Sequence, residues 1–258
     1  MQVDLWGQTA LDYSIKQMQT FEPPEGYYLA FSGGKDSIAL YGAAKLAGVK
    51  FDAHYHTTCC DPPEVIQTMR RHYPDVQRHM PKESMWQLIV RKGMLPTRTA
   101  RWCCQELKEG GGRGHHRIIL TGVRSEESPR RTSRRMIEIC RREPTTRFLH
   151  ALKHWTVADV WDFIHEQQLP YPSIYDEPGA SGRVGCVLCP FTRRVEYEMK
   201  RWPKIAEAWH RAALRAFDNA LENRPKMRYK FATGEDYWRW WLDRDASLPD
   251  PDECSMFD

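Results

Sequence analysis

Two groups of residues in this sequence are of types and spacings that could do chemistry. One is the stretch SGGKDS, which lies between the apolar run YYLAF and the helical pattern DSIALYGAAKLAG. Glycines let the backbone close around phosphate oxygens, and a helix N-terminus beside a lysine attracts anions. We therefore predict a nucleotide-phosphate site made by six consecutive residues: Ser32, Gly33, Gly34, Lys35, Asp36 and Ser37.

The second group is made of cysteine pairs. The chain has eight cysteines, and we expect a cytoplasmic protein, in which thiols serve metal binding or catalysis rather than disulfides. Cys103 and Cys104 are adjacent, and two residues separate Cys186 from Cys189. Two such pairs form a Cys₄ set that suits structural Zn²⁺ or a [4Fe-4S] cluster.

Asp36 is unusual in a phosphate loop, because a carboxylate repels phosphate unless it binds Mg²⁺ or caps the helix. The loop matches neither GxxxxGK[ST] nor GxGxxG. It resembles the SGGxDS signature of the PP-loop ATP pyrophosphatases, which cleave ATP between its α- and β-phosphates. That resemblance implies ATP as the nucleotide and catalytic roles for Lys35 and Asp36.

Four further motifs, in this order, resemble those of the phosphoadenosine phosphosulfate (PAPS) reductases and their adenylyl-sulfate relatives: RWCCQELK, TGVRSEESPRR, ALKHWTVADVWDFI and LPYPSIYDEP. The resemblance runs from about residue 26 to residue 192. TTCCDPPEVIQTMRRHYPDV is similar to the cluster-bearing branch found in phages and in DNA-sulfur-modification systems.

The resemblance to the reductases implies roles for individual residues. Cys103, Cys104, Cys186 and Cys189 would ligate a [4Fe-4S] cluster, and Lys108 would offset its negative charge. Four residues would contact a sulfate or phosphate: Arg124, Ser128, Arg130 and Arg131.

The nucleophile is less clearly marked. The reductases attack sulfur with a cysteine in an ECG(L/I)H segment, and this chain reads PDPDECSMFD, so Cys254 is the candidate although Ser255 replaces the glycine. A thiosulfonate on Cys254 would be resolved by a thioredoxin-like reductant. Cys59 and Cys60 are a second candidate, as persulfide carriers supplied by a cysteine desulfurase, and packing cysteines are the alternative reading there.

Three functions follow from these residues. The first is reduction of adenylyl or phosphoadenylyl sulfate to sulfite. The second is an ATP pyrophosphatase or sulfurtransferase that modifies DNA, tRNA or a small molecule. The third is a zinc-stabilised module that binds nucleic acid through the basic run at residues 113–147.

Strands and helices alternate along the sequence around these residues. This order predicts an α/β fold with a doubly wound parallel sheet and a helical C-terminal extension. We predict an N-terminal helix in residues 1–24, a nucleotide-binding domain in 25–192 and a helical region in 193–258. With 41% hydrophobic and 28% charged residues, and no long apolar run, we expect no membrane partner.

Overall fold

The computed structural model describes residues 3, 5–109, 117–140, 143–178, 182–223 and 230–246. Six strands form one sheet in the order β3-β2-β1-β4-β6-β5. The strands are β1 Tyr27–Ala30, β2 Phe51–His56, β3 Gln77–His79, β4 Ile118–Leu120, β5 Ile137–Ile139 and β6 Arg147–Leu149. The α-helices are α1 Ala10–Thr20, α2 Lys35–Ala47, α3 Pro63–His72, α4 Met85–Lys92, α5 Trp102–Leu107, α6 Pro129–Thr132, α7 Val157–Glu166, α8 Val195–Arg201, α9 Pro203–Asn223 and α10 Gly234–Leu242.

The sheet is mostly parallel. β1 pairs in parallel with β2 on one side and with β4 on the other. β5 pairs antiparallel with β6, to which a short connection joins it, and such a connection suits antiparallel strands because parallel ones need a longer crossover. The predicted doubly wound α/β fold is confirmed, with β5 as an exception that the sequence did not predict.

The chain divides into two compact units. The first comprises Met1–Thr57, Pro63–Met80 and Gly110–Val184 and contains the whole described sheet. The second comprises Thr58–Pro62, Pro81–Glu109 and Gly185–Asp258 and contains α4, α5 and α8–α10. We call them the sheet unit and the helical unit.

Local capping contacts set the ends of two helices of the sheet unit. Thr156 caps α7 through a reciprocal pair of hydrogen bonds with Asp159, as its position before an apolar stripe predicts. Gly48 ends α2 in the left-handed conformation, with φ 67°. The buried indole N–H of Trp155 donates to the hydroxyl of Ser14, at 2.8 Å. These contacts hold α2 and α7 on the core around the central strands.

The core of the helical unit is rich in tryptophan. Trp209 of α9 stacks on Trp241 of α10, with ring centroids 4.9 Å apart, and meets Trp86 edge to face. Two of these indole N–H groups are hydrogen-bonded: that of Trp241 donates to the carbonyl of Pro96 at 2.7 Å, and that of Trp209 donates to the carbonyl of Val187. Buried aromatic rings with bonded N–H groups give this unit a rigid core.

No helix in the described part of the chain is both long enough and apolar enough to cross a bilayer.

Candidate functional site

The six residues of the predicted phosphate loop form one compact turn between β1 and α2. The hydroxyls of Ser32 and Ser37 lie 3.1 Å apart, and Ser37 donates to the carbonyl of Gly34 at 2.8 Å. Gly33 has φ +72°, and a Cβ there would come within 2.5 Å of the Val65 side chain. Glycine is therefore required at position 33, both for its backbone angle and for space.

Asp36 lies between two cations. One carboxylate oxygen accepts from the Nε of Arg124 at 2.6 Å, and the other from the ammonium of Lys35 at 2.9 Å. The Lys35 and Arg124 side chains are each 5% exposed. The N-cap of α2 is Gly34, and the helix starts without a side-chain cap. Asp36 thus binds the two basic side chains of the loop region and does not cap the helix.

The segment that follows β4 comes very close to this turn. A Cβ on Gly122 would lie 2.9 Å from the carbonyl oxygen of Asp36, so a side chain at position 122 would push the two backbones apart. β1 and β4 are neighbours, and the chain goes from β1 to β2 on one side and later to β4 on the other. The carboxyl ends of strands at such a switch point form the crevice where open α/β sheets bind ligands.

Positive charge collects at this crevice. Burial lowers the pKa of Arg131, and the nearby guanidinium groups of Arg183 and Arg134 lower it further, whereas Asp36 raises it. Arg131 also forms an ion pair with Glu127. Mutual repulsion between these guanidinium groups is unfavourable, and a bound anion would relieve it.

The structure separates the roles of the four predicted anion-contacting residues. Arg124 and Arg131 both lie close enough to Asp36 to interact with it. Ser128 caps the short helix α6 by accepting from the N–H of Arg131, and Arg130 is exposed on the same helix. Arg183 was not predicted, because it lies outside the quoted motifs.

Tyr175 is a second residue that sequence reasoning missed. Its phenol oxygen accepts a hydrogen bond from the backbone N–H of Lys35, at 3.0 Å. The motif LPYPSIYDEP contains it, so the signal was present. The sequence could not show that the second tyrosine of this motif reaches the start of α2.

All four predicted cluster ligands lie in the helical unit. Cys103 and Cys104 occupy the first turn of α5, and Cys186 and Cys189 flank a turn in which the N–H of Cys189 donates to the carbonyl of Cys186. The pKa of Cys103 is raised by its hydrogen bond to Cys104, by burial and by charge on Cys186 and Cys189. The structure therefore brings the two predicted pairs together.

The sulfur of Cys186 has several hydrogen-bond partners. Hydrogen bonding from the buried thiol of Cys60, the ammonium of Lys108 and the hydroxyl of Thr58 lowers the pKa of Cys186. Burial alone would lower the pKa of Lys108, but charge on Cys186 and Asp61 outweighs it and raises that pKa. Lys108 thus places a cation next to a proposed ligand, although its side chain is exposed.

Cys104 has a similar environment. A hydrogen bond from Cys103 lowers its pKa, and so do the guanidinium of Arg101, 3.5 Å from its sulfur, and the ammonium of Lys108. Each cysteine pair therefore contributes one thiol that readily ionises beside a cation, and thiolate is the form that binds metal.

The turn that carries Cys186 and Cys189 is fixed by its surroundings. Leu188 adopts φ +57°, a left-handed conformation that leucine rarely takes. Its N–H donates to the carboxylate of Glu198 at 2.6 Å, and its carbonyl accepts from Arg244 at 3.2 Å. The neighbouring carbonyl of Val187 accepts the indole N–H of Trp209. Strain at Leu188 persists because these contacts hold it.

The side chains of the described residues do not form a site for a single metal ion. A tetrahedral zinc site, with Zn–S bonds of about 2.3 Å, needs its sulfurs about 3.8 Å apart. Across residues 5–109, 117–140, 143–178, 182–223 and 230–246, no three His, Cys, Asp or Glu side chains are arranged to hold one metal ion.

The remaining candidates for a reactive cysteine are Cys254, Cys59 and Cys60. Cys254 lies outside the described residues. Cys60 is fully buried next to Cys186, and the pKa of its thiol is raised. Burial also raises the pKa of Cys59, whose φ is +67°. Raised pKa values lower the nucleophilicity expected of both thiols at neutral pH.

Comparison with known proteins agrees with these observations. The family model described as "Phosphoadenosine phosphosulfate reductase domain" matches residues 26–192. An adenosine 5′-phosphosulfate reductase of Halalkalibacterium halodurans is 26% identical over 164 residues, which are 60% of this chain and 68% of the relative. An uncharacterised protein of Escherichia phage 186 is 31% identical over 141 residues, 48% of this chain and 41% of that protein.

Among solved structures, the phosphoadenylyl-sulfate reductase of Candida auris has a similar fold. The match has a TM-score of 0.50 and 15% sequence identity, and it covers 72% of this chain and 99% of the other.

We predict that Arg124→Gln destabilises the protein, because Asp36 would lose its buried partner. Breaking a buried ion pair costs about 3 kcal/mol, and the free energy of unfolding in urea should fall by about that amount. Arg135→Gln is the matched control: it removes an exposed arginine of the same basic segment and should change the free energy of unfolding by less than about 0.5 kcal/mol. Equal stability of the two variants would show that the Arg124–Asp36 pair has no structural role.

Proposed function

This chain belongs to the phosphoadenosine phosphosulfate reductase domain family, and we propose from that premise that it reduces adenylyl sulfate or phosphoadenylyl sulfate to sulfite. The family is one of enzymes of sulfur metabolism. The substrate would bind at the crevice between the ends of β1 and β4. The observation that carries this proposal is the group of arginines around Asp36, which would be stabilised by an oxyanion.

The loop and the arginines would share the work of binding. The loop of residues 32–37 would hold the 5′-phosphate at the positive end of α2. Arg131 and Arg183 would contact the sulfate and stabilise the charge that develops on the leaving phosphate oxygen. Arg124, whose Nε is bonded to Asp36 and whose NH1 is bonded to Glu126, would mainly position the loop.

The proposed reaction is nucleophilic substitution at sulfur by the Cys254 thiolate. A bond forms between the Cys254 sulfur and the sulfate sulfur, the S–O bond to the nucleotide breaks, and AMP or its 3′-phosphorylated form leaves with the electron pair. The product on the enzyme is a thiosulfonate. A thiol of a thioredoxin-like dithiol then attacks the Cys254 sulfur, so that sulfite leaves and a disulfide remains.

Cys103, Cys104, Cys186 and Cys189 are proposed to hold a [4Fe-4S] cluster. When bound, the cluster would link α5 to the 186–189 turn through four iron–thiolate bonds. Lys108 and Arg101 would balance the negative charge of the thiolates. The hydroxyl of Thr58 and the thiol of Cys60 would add hydrogen bonds at Cys186 and orient it.

An ATP-dependent sulfurtransferase is a second candidate, and the intact SGGKDS loop favours it. Its cation and its carboxylate are bonded to each other, however, so the Lys35 ammonium is already engaged and Asp36 is already neutralised without Mg²⁺. In this second function, Cys59 or Cys60 would carry sulfur from a cysteine desulfurase to DNA, tRNA or a small molecule.

Nucleic-acid binding through the basic run has less support. Arg124, Arg131 and Arg134 each form an ion pair with acidic residues of the sheet unit: Asp36, Glu126, Glu127 and Glu138. Ion pairing leaves the run with less net charge for the many phosphate contacts that nucleic-acid binding requires, whereas one small anion needs only a few cations.

The two enzymatic functions predict different nucleotide affinities. If the enzyme is a reductase, calorimetry should show that adenylyl sulfate or phosphoadenylyl sulfate binds at least about tenfold more tightly than ATP. A preference for ATP, accompanied by release of pyrophosphate, would favour the sulfurtransferase. Sulfate alone serves as the control for ionic strength and adventitious anion binding.

The cluster can be tested by metal analysis. Protein purified without oxygen should contain about four irons and four acid-labile sulfides per chain, and a Cys103→Ser/Cys104→Ser variant should lose both. Cys140→Ser, which changes a cysteine in the sheet unit, should retain full iron content. A colourless wild-type protein with one equivalent of zinc would exclude the cluster.

The nucleophile has its own test. Cys254→Ser should abolish sulfite release while leaving the affinity for adenylyl sulfate within about twofold, because a hydroxyl is a far weaker nucleophile than a thiolate. Unchanged sulfite release would assign the nucleophile to another thiol, and Cys59→Ser would be examined next.

A further inference from the structure

The first backbone N–H of α2 is already hydrogen-bonded. In a loop that leads from a strand into a helix, this N–H normally points at a bound anion. Here the N–H of Lys35 donates instead to the phenol oxygen of Tyr175, at 3.0 Å. A tyrosine hydroxyl therefore occupies the first N–H of α2, at the position where the ligand is expected.

The same oxygen has a second partner. The backbone of Val184 also hydrogen-bonds to the phenol oxygen of Tyr175 and favours its ionised form, as Lys35 does. Burial outweighs both effects and raises the pKa of Tyr175 to about 12. At neutral pH the hydroxyl therefore keeps its hydrogen while its oxygen accepts from two backbone groups.

Among the described residues, the hydroxyl hydrogen of Tyr175 has no acceptor. In the part of the chain that the structure describes, both hydrogen bonds at this oxygen come from backbone groups that stabilise negative charge on it. The nearby carboxylate of Asp36 is bonded to Lys35 and Arg124. A donor whose oxygen already accepts two hydrogen bonds is polarised and donates more strongly.

The hydroxyl faces the phosphate loop. A Cβ built on Gly34 would lie 3.4 Å from the Tyr175 oxygen and 3.6 Å from the Ser32 oxygen, so the two hydroxyls lie on the same side of the loop. The ring is held in place by edge-to-face packing on Trp161, with centroids 5.1 Å apart. The donor is thus positioned before any ligand arrives.

We propose that Tyr175 is a binding residue of this site and donates its hydroxyl hydrogen to a phosphate or sulfate oxygen of the nucleotide. The tyrosine extends the positive end of α2 by one hydrogen bond, from the Lys35 amide through the phenol to the anion. The inference rests on the proposed binding of an adenine nucleotide at this loop and adds a specific ligand contact to it.

Tyr175→Phe removes the hydrogen and keeps the ring. Loss of one hydrogen bond to a charged oxygen should weaken binding of adenylyl sulfate and ATP about tenfold. Binding of adenosine, which lacks a phosphate, should change by less than about twofold. All three ligands are titrated by calorimetry, and thermal melting confirms that the variant is folded.

Tyr171→Phe is the matched control. Tyr171 packs edge to face on the same Trp161 ring, at 5.2 Å, but its hydroxyl is bonded to Asp176 rather than to the loop. Its removal should leave all three affinities within about twofold. A Tyr175→Phe variant that binds the charged nucleotides as well as the wild type, or more tightly, would overturn the inference.

The outcomes separate this inference from the proposed function. If wild-type protein binds none of the nucleotides, the proposed function fails. Inorganic pyrophosphate and sulfate then decide the role of Tyr175, through the ¹⁹F resonance of 3-fluorotyrosine placed at position 175. A shift on adding either anion supports a contact, and an unchanged resonance at saturating anion refutes it. The same measurement applies if Tyr175→Phe does not fold.

Discussion

The charge of Asp36 organises the sheet unit. Its two oxygens bind Lys35 at the start of α2 and Arg124 in the segment after β4, so one carboxylate joins the ends of the two central strands. Gly122 approaches the Asp36 backbone closely at the same place. Because these contacts are largely buried, we expect the crevice to keep its shape, and we propose that the arginines around it, Arg131 and Arg183, bind the anion.

The helical unit brings four thiols, those of Cys103, Cys104, Cys186 and Cys189, into electrostatic contact, and they would repel one another if all were ionised. Lys108 and Arg101 supply the compensating charge, and each thiol pair shares a hydrogen bond or a turn. The left-handed Leu188 shows that the backbone is strained to present Cys186 and Cys189. A buried ion pair in the sheet unit and a strained residue in the helical unit thus fix the positions of the proposed site residues.

Much of the fold and part of the site could be predicted from the sequence. The loop, the caps of α2 and α7 and the parallel sheet follow from local patterns that tertiary contacts reinforce. Asp36 shows where such reasoning stops. Its type suggested Mg²⁺ or a helix cap, yet its partners are set by Arg124, 88 residues away. Tyr175, Arg183 and Cys60 reach their sites in the same way, through the fold rather than through neighbours in sequence.

The helical unit also bears on how the polypeptide can be divided. Its parts come from three separate stretches of chain, 58–62, 81–109 and 185–258, and the cysteine turn at 186–189 depends on Glu198, Trp209 and Arg244. The family match stops at residue 192, which falls between the thiols and the side chains that support them. A fragment that ended there would keep every proposed ligand and lose their scaffold, so in this protein the boundary of homology is not a boundary of folding.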